Sequence, residues 1–276
     1  MSGGPPGLSV VIPWSNRPEI AETLRRNAPL LAAMDAEAVV VNCGGDPGPL
    51  TAALAGAPLS RLRRVEVPAP GFNKSLAINL GVSAARADRL FLLDADIVLQ
   101  EGLLPRAAAL LDRPCFVTVD RVIESAPPPL AVRPGLREIG HVLELTGPRN
   151  RKIRLETNRV RLRDGSRSGP GLVFLTREHF LAVDGMTSDL EGWGWEDLDL
   201  LARLQLALRL PRRRWGSVIH LSHGDEVRTF EGPAPAANEQ RNYAMCLYNY
   251  GAGHYLGTYA DDVATWRDRT VVRDEA

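Results

Sequence analysis

The sequence has few cysteines and no excess of either charge. Three cysteines occur in 276 residues, at Cys43, Cys115 and Cys246, and their spacing fits neither a disulfide framework nor a metal-binding motif. We therefore expect ordinary thiols in a reducing compartment. Lys plus Arg equals Asp plus Glu, at 33 each. This balance argues against a globally basic nucleic-acid-binding protein and against electrostatic recruitment to an anionic membrane.

Long hydrophobic runs are also lacking. No segment approaches the ~20 apolar residues that cross a bilayer. The N-terminal Met-Ser-Gly-Gly-Pro-Pro-Gly has neither the basic residues nor the apolar stretch of a signal peptide. We expect a cytoplasmic, bacterial protein without a membrane span. Hydrophobic residues make up 45% of the chain, enough for one large domain with its own core. The sequence leaves the oligomeric state open.

The first half of the chain alternates short apolar runs with helical patterns. This alternation is typical of βαβ units and predicts an α/β fold with a largely parallel sheet. The predicted strands are 8–13, 38–41, 64–67 and 90–93, and the predicted helices are 17–34 and 73–85.

A change in composition marks an insertion at 124–169, which is first proline-rich and then basic. We expect a short helix at 136–145 and a hairpin at 157–163. The basic stretch could grip a phosphorylated acceptor or nucleic acid, but Val160 and Leu162 alternate with arginines, which favours a half-exposed polar hairpin. The later predicted elements are a strand at 171–175, helices at 177–183 and 196–208, a strand at 215–220, a helix at 238–250 and a mobile polar tail at 256–276.

Two acidic clusters carry the chemistry. The apolar run Leu92-Leu-Asp-Ala-Asp-Ile-Val98 ends in Asp94 and Asp96, and oxygen ligands at a strand end suit a divalent cation that also binds phosphate. The second is Glu191-Gly-Trp-Gly-Trp-Glu-Asp-Leu-Asp199, in which two indoles between glycines precede carboxylates. Since ligands bind beyond the carboxyl ends of the strands in open α/β sheets, residues 14–17, 42–46 and 94–96 should share one crevice.

Three blocks in conserved order resemble a known group of enzymes. They are Phe72-Asn-Lys-Ser-Leu-Ala-Ile-Asn-Leu-Gly81 leading into the Asp94 cluster, the segment 171–185 with Gly192-Trp-Gly-Trp-Glu-Asp197, and His223 with Asn238-Glu-Gln-Arg241. Together they resemble the β1,4-galactosyltransferases and the bacterial chondroitin-polymerase-type, family 2-like glycosyltransferases. The resemblance implies a GT-A fold, a Rossmann-like mixed, mainly parallel sheet flanked by helices.

The resemblance also implies an activity. We expect an inverting, metal-dependent hexosyltransferase that uses Mn²⁺ or Mg²⁺ and moves Gal, GalNAc or a similar sugar from a UDP-sugar to a glycan or natural-product acceptor. A single domain spanning 1–276 would contain a nucleotide-sugar-binding half at 8–123, the insertion, an acceptor-side half at 170–255 and the tail. No nucleic-acid partner is expected.

The same resemblance suggests residue roles. Asp96 and His223 would bind the metal, with His220 as a rival ligand, and Asp197 would be the general base because a carboxylate must reach the attacking hydroxyl. The acceptor would contact Trp193, Trp195 and Glu196. The donor would contact Pro13, Trp14, Arg17, Asn42, Asp46, Phe72, Lys74, Asp94, Ala95, Asp96, Gly171 and Trp193.

Several alternatives remain open on the sequence alone. Acids also favour strand-end turns and helix N-termini, and the second role suits Asp199. Either Asn42 or Asp46 could read the base, and Phe72 could stack on uracil or pack in the core. The family has a glycine where Trp195 stands, which bears on how far a loop closing over the substrates can move. A nucleotidyltransferase on the same fold, or a sugar-nucleotide-binding module without catalysis, are the competing functions.

Overall fold

The computed structural model describes residues 4–126, 135–147, 150–192, 194–223 and 235–275. The strands are Leu8–Trp14 (β1), Ala36–Cys43 (β2), Leu62–Val67 (β3), Arg89–Leu92 (β4), Ile97–Leu99 (β5), Phe116–Glu124 (β6), Glu138–Gly147 (β7), Arg151–Arg161 (β8), Arg167–Thr176 (β9), Arg212–His220 (β10) and Val271–Asp274 (β11). The helices are Ile20–Ala33 (α1), Pro47–Ala55 (α2), Lys74–Ala84 (α3), Leu103–Leu110 (α4), Arg177–Ala182 (α5), Glu196–Leu206 (α6), Pro235–Gly251 (α7) and Tyr259–Trp266 (α8).

One mixed sheet organises the molecule, with strand order β11-β3-β2-β1-β4-β9-β6-β10-β5. Strands β3, β2, β1 and β4 are parallel, whereas β9 runs antiparallel to both β4 and β6. Every residue of β1 and β2 is buried, because one apolar cluster covers each face of the sheet. Strands covered on both faces read as continuous apolar runs, which explains why the sequence pattern identified them. The predicted α/β fold with a mixed sheet flanked by helices is confirmed.

Close packing of α3 against the sheet fixes the position of its first turn. A Cβ on Gly81 would lie 2.5 Å from Val11 Cγ1 and 2.8 Å from Val41 Cγ2, so only glycine allows this approach. Asn73 caps the helix by accepting a hydrogen bond from the Leu76 N–H at 2.9 Å. The cap and the packed glycine together fix where Lys74 begins the helix.

The helix expected at 136–145 is wrong. This segment is strand β7, which pairs antiparallel with β8 over its whole length. Leu143 and Leu145 alternate with exposed residues and lie opposite Leu155 and Ile153, and all four pack on the core. The apolar side chains of this segment therefore alternate with a period of two residues, as in a strand, although their spacing in the sequence is also compatible with a helix. The hairpin expected at 157–163 lies later in the chain, because residues 157–161 still belong to β8 and the turn to β9 follows at 162–166, where the Arg161 N–H donates to Ser166 O.

The segment 256–276, expected to be a mobile tail, instead contains a helix and a strand. Helix α8 packs on α3, and β11 pairs antiparallel with β3. Buried Asp262 accepts a hydrogen bond from Asn79 Nδ2 at 2.6 Å, and this contact attaches the segment to the core. Hydropathy gives no sign of it, because both side chains are polar. None of the helices in the described segments is both long and apolar enough to cross a membrane.

Candidate functional site

The topology brings the first acidic cluster to the ends of several strands. Asp94 and Asp96 follow β4, and Arg17 follows the neighbouring strand β1. Strand β10 pairs with β5 so that His220 lies opposite Ile97, and the Leu221 N–H donates to Asp96 O at 2.8 Å. Histidines from the far end of the sequence therefore reach the aspartates.

Asp96, His220 and His223 form a candidate metal centre. Their ligand atoms all lie within 4.8 Å of one another. The Nε2 atom of His223 is 3.3 Å from Asp96 Oδ2, and that of His220 is 3.6 Å from the same oxygen. One carboxylate and two imidazoles suit Mn²⁺ and similar divalent ions. The two histidines proposed as rivals are thus placed together.

A cationic side chain already contacts this cluster. Arg17 Nη2 lies 2.7 Å from Asp96 Oδ2 and also contacts His223 Nε2, so a cationic group already rests on two of the three candidate ligands. Burial opposes ionisation of Asp96, but the hydrogen bond and charge of His220, together with Arg17 and His223, outweigh it and lower the pKa of this carboxyl to about 2. Asp96 is therefore an ionised ligand near neutral pH.

Lys74 joins the two acidic clusters. Its Nζ lies 2.9 Å from Asp94 Oδ1 and 2.9 Å from Asp197 Oδ2. Burial by itself would lower the pKa of Lys74, but the charges of Asp197 and Asp94 raise it well above its usual range. Asp94 and Asp197, which the sequence separates by about a hundred residues, therefore share a single ammonium group.

Asp197 and Glu196 lie in the first turn of α6, against strand β9. A Cβ on Gly171 would lie 2.8 Å from Asp197 Cγ, so glycine is required for the carboxylate to occupy this position. Glu196 Oε2 is buried and has no hydrogen-bond partner among the residues that the structure describes. Burial, followed by the charge of Asp197, raises the pKa of Glu196 to about 7. An unsatisfied carboxyl thus lies beside the candidate base.

Helix α7 supports the loop that precedes these acids. Trp195 has φ +74°, a left-handed conformation that favours glycine, and its ring lies 4.5 Å from that of Tyr243. Asn242 Nδ2 donates to Glu191 O at 3.1 Å and to Gly194 O at 2.9 Å. The loop that carries Trp195 is therefore held by α7. Trp193 lies outside the described residues.

Other expected donor contacts have structural partners of their own. Trp14 is buried and donates through Nε1 to Arg17 O at 2.8 Å, so it orders the turn that carries Arg17. Pro13 and Ala95 are buried beside it in the strand ends. Asn42, only 2% exposed, accepts from Gly45 N–H at 2.9 Å and donates to Glu66 at 2.7 Å.

Two further residues from that set remain accessible. Asp46 is exposed, and its side chain caps α2 by accepting from the Gly48 N–H at 2.9 Å. Phe72 is 36% exposed and so is not a core residue. Of the two candidates for recognition of the nucleotide base, Asn42 uses its side-chain amide in hydrogen bonds to Gly45 and Glu66, whereas Asp46 is exposed to solvent.

Sequence reasoning missed Glu124 and assigned Asp199 mainly to a helix N-terminus. Glu124 Oε2 lies 2.6 Å from His220 Nδ1. Asp199 forms a buried ion pair with Arg203 at 2.8 Å and accepts from Tyr250 and Thr187, so it is a structural residue rather than a helix N-terminal charge alone. The contact of Glu124 has no local sequence signal, because His220 lies on another strand. The i,i+4 spacing of Asp199 and Arg203 within α6 is a local signal that sequence reasoning did not use, whereas Thr187 and Tyr250 lie outside that helix.

Comparison with known proteins places this site in context. The model of glycosyl transferase family 2 matches residues 9–169, and that of the N-terminal domain of galactosyltransferase matches residues 149–223. No curated protein sequence matches the chain. Among solved structures, GalNAc-T7 with UDP, GalNAc and Mn²⁺ is similar at a TM-score of 0.57 and 16% identity over 90% of this chain. The chain spans about half of that protein, 48% of its length.

A second solved structure is the mannosyltransferase PcManGT from Pyrobaculum calidifontis in complex with GDP-Man and Mn²⁺. It is similar at a TM-score of 0.51 and 16% identity, over 96% of this chain and 76% of that one. At this identity the likeness supports the fold.

Proposed function

Because this chain belongs to glycosyl transferase family 2, we propose that it is an inverting, metal-dependent transferase that moves a hexose from a UDP-sugar to an acceptor hydroxyl. The observation that carries the proposal is the contact of Lys74 with both Asp94 and Asp197. This contact supports the proposal because it holds the proposed base close to the acidic motif that leads into the candidate cation centre, and transfer requires two substrates to be held near each other.

The donor side is formed by the strand ends. Asp96, His220 and His223 would hold the divalent cation, which would neutralise charge on the departing diphosphate. Arg17 rests on Asp96 and His223 and would turn toward the diphosphate, because a guanidinium binds phosphate oxygens well. The two similar solved structures contain Mn²⁺, one with UDP and GalNAc and the other with GDP-Man, which supports a divalent cation and a nucleotide-sugar donor.

Asp197 would act on the acceptor side. It would take the proton of the acceptor hydroxyl as that oxygen bonds to the anomeric carbon and the bond to the diphosphate oxygen breaks. Attack opposite the leaving group inverts the anomeric configuration. Lys74 orients Asp197 by donating a hydrogen bond to its Oδ2, and the unpartnered Glu196 Oε2 is available to a sugar hydroxyl.

A screen of UDP-sugars and GDP-sugars with Mn²⁺, measuring nucleotide diphosphate release with and without glycan acceptors, tests the activity. We expect acceptor-dependent UDP release, and an NMR coupling constant of the product that reports inversion. A nucleotidyltransferase would instead release pyrophosphate from UTP and a sugar phosphate. A binding module would gain thermal stability with UDP-sugar and Mn²⁺ but release nothing.

The base is tested with Asp197→Asn and a matched control, Asp189→Asn, which changes an exposed acid in the preceding loop. General-base catalysis contributes about 10²–10⁴-fold, so Asp197→Asn should lose that factor in kcat while still binding UDP with Mn²⁺. The control should retain full activity. Full turnover by Asp197→Asn would show that another group is the base.

A further inference from the structure

We propose that Glu124 is a positioning residue for the cation centre, because it fixes the ring of His220 and the segment that carries His223. The inference rests on the proposed metal-dependent function and extends it to a residue outside the three candidate ligands. It derives from contacts at the adjoining ends of β6 and β10.

The first observation is the orientation of the His220 ring. Glu124 ends β6, His220 ends β10, and the two residues are partners in the parallel ladder. Glu124 Oε2 lies 2.6 Å from His220 Nδ1. A carboxylate can only accept, so Nδ1 carries the proton and Nε2 of the neutral ring keeps its lone pair. That Nε2 faces Asp96, 3.6 Å from Oδ2, in the orientation that a metal ligand needs.

The second observation concerns the residues that lead to His223. The same Glu124 oxygen accepts from Ser222 Oγ at 3.0 Å. Ser222 N–H in turn donates to Ser125 Oγ at 2.9 Å, and Ala126 N–H donates to Ser222 Oγ at 3.0 Å. The ends of the two strands are therefore joined by side chains immediately before His223. One carboxylate thus positions both histidines, the first directly and the second through Ser222.

Glu124 has a counter-ion that keeps it in place. Arg167 Nη2, from β9, lies 3.4 Å from its other oxygen, Oε1. The Glu124 carboxylate, on β6, therefore contacts Arg167 of β9 and His220 of β10 at the edge of the site. Partners that orient ligating histidines in this way contribute about 10- to 100-fold to metal affinity in other proteins.

The test is Mn²⁺ binding by the full chain with UDP, measured by calorimetry and by electron spin-echo spectroscopy of the bound ion. We expect wild type to show two imidazole nitrogens on Mn²⁺. Glu124→Ala should bind Mn²⁺ about 100-fold more weakly and lose one of the two nitrogen signals. Glu124→Gln keeps an acceptor oxygen without the charge, so it should retain both signals and lose about tenfold.

Glu156→Ala is the matched control. Glu156 is also a largely buried glutamate on this sheet with arginine partners, Arg159 and Arg214. Arg214 precedes His220 by six residues of β10, about 20 Å along a strand. The control should bind Mn²⁺ as wild type does.

The possible failures are distinguishable. If wild type binds no Mn²⁺ with UDP, the cation centre itself is wrong, and Glu124 positions nothing. If wild type binds Mn²⁺ and Glu124→Ala binds it equally with both nitrogen signals, the positioning role is overturned while the proposed function stands. Should Glu124→Ala not fold, Glu124→Gln decides, because unchanged affinity in that variant contradicts the inference.

Discussion

Replacing Glu196 with glutamine should stabilise the protein at alkaline pH. The carboxyl lies beside Asp197, and its Oε2 is buried without a hydrogen-bond partner in the described part of the chain. Burial and the Asp197 charge raise its pKa from 4.5 to about 7. A glutamine cannot ionise, so it removes the cost of holding a charge in this position.

The sign and size of the effect follow from proton linkage. The folded state binds this proton more tightly than the unfolded state, so the stability contributed by the group is present below pH 4.5 and is lost as the pH rises to about 7. At 1.36 kcal/mol per pKa unit the full shift corresponds to about 3 kcal/mol. Coupling to Lys74 and partial exposure reduce this value, so we expect a gain of about 1–3 kcal/mol at pH 8.

Thermal unfolding of metal-free protein at pH 5 and pH 8 measures the difference. For a chain of this size, 1 kcal/mol shifts Tm by about 2–4 °C, so the expected 1–3 kcal/mol corresponds to a rise in Tm of about 2–12 °C for Glu196→Gln at pH 8, and much less at pH 5. Glu191→Gln, which changes an exposed acid in the preceding loop, should have no such pH dependence. An equal loss of Tm at both pH values would refute the reasoning, because it would mean that the Glu196 carboxylate makes a stabilising contact.

Three further predictions test other parts of the site. The side chains of Asp199 and Arg203 are only 5% and 1% exposed, so Asp199→Asn leaves Arg203 buried without its counter-ion. It should lower the free energy of unfolding in urea by about 3–5 kcal/mol, and an unchanged midpoint would contradict this. Trp195→Gly should be about 1 kcal/mol more stable than Trp195→Ala, because alanine retains the unfavourable left-handed φ; equal midpoints would show that the backbone relaxes. In calorimetry, Arg17→Met should bind Mn²⁺ in the absence of nucleotide about tenfold more tightly, because Mn²⁺ no longer has to displace the hydrogen bonds of Arg17 to Asp96 and His223. The same variant should bind UDP more weakly. Weaker Mn²⁺ binding would show that Arg17 does not compete with the cation.

Local signals predicted the parts of the fold and site that depend on neighbouring residues. Strands β1, β2 and β4 were predicted because burial on both faces leaves uninterrupted apolar runs. The Asp94 cluster was predicted because it follows such a run. In contrast, β6 was missed, since its sequence Phe-Val-Thr-Val-Asp-Arg-Val-Ile-Glu is buried only over its first part and ends polar.

Contacts that depend on strand order could not be predicted from the sequence. Strand β9 enters the sheet between β4 and β6, and this insertion brings Gly171 and Asp197 beside the Asp94 cluster. The pairing of β6 with β10 likewise brings Glu124 to His220. No residue spacing encodes either arrangement, because each partner lies on an element whose place in the sheet is set by packing of the whole core.

The position of Lys74 has a consequence for how the two sides of the cleft communicate. Its single ammonium charge is shared between Asp94, on the donor side, and Asp197, on the acceptor side. A donor group that draws Asp94 or Lys74 toward itself changes the hydrogen bonding and charge balance of Asp197 at the same time. The hydrogen bonding of Asp197, the proposed base, is thus linked through one ammonium group to the residue that would lie beside the donor.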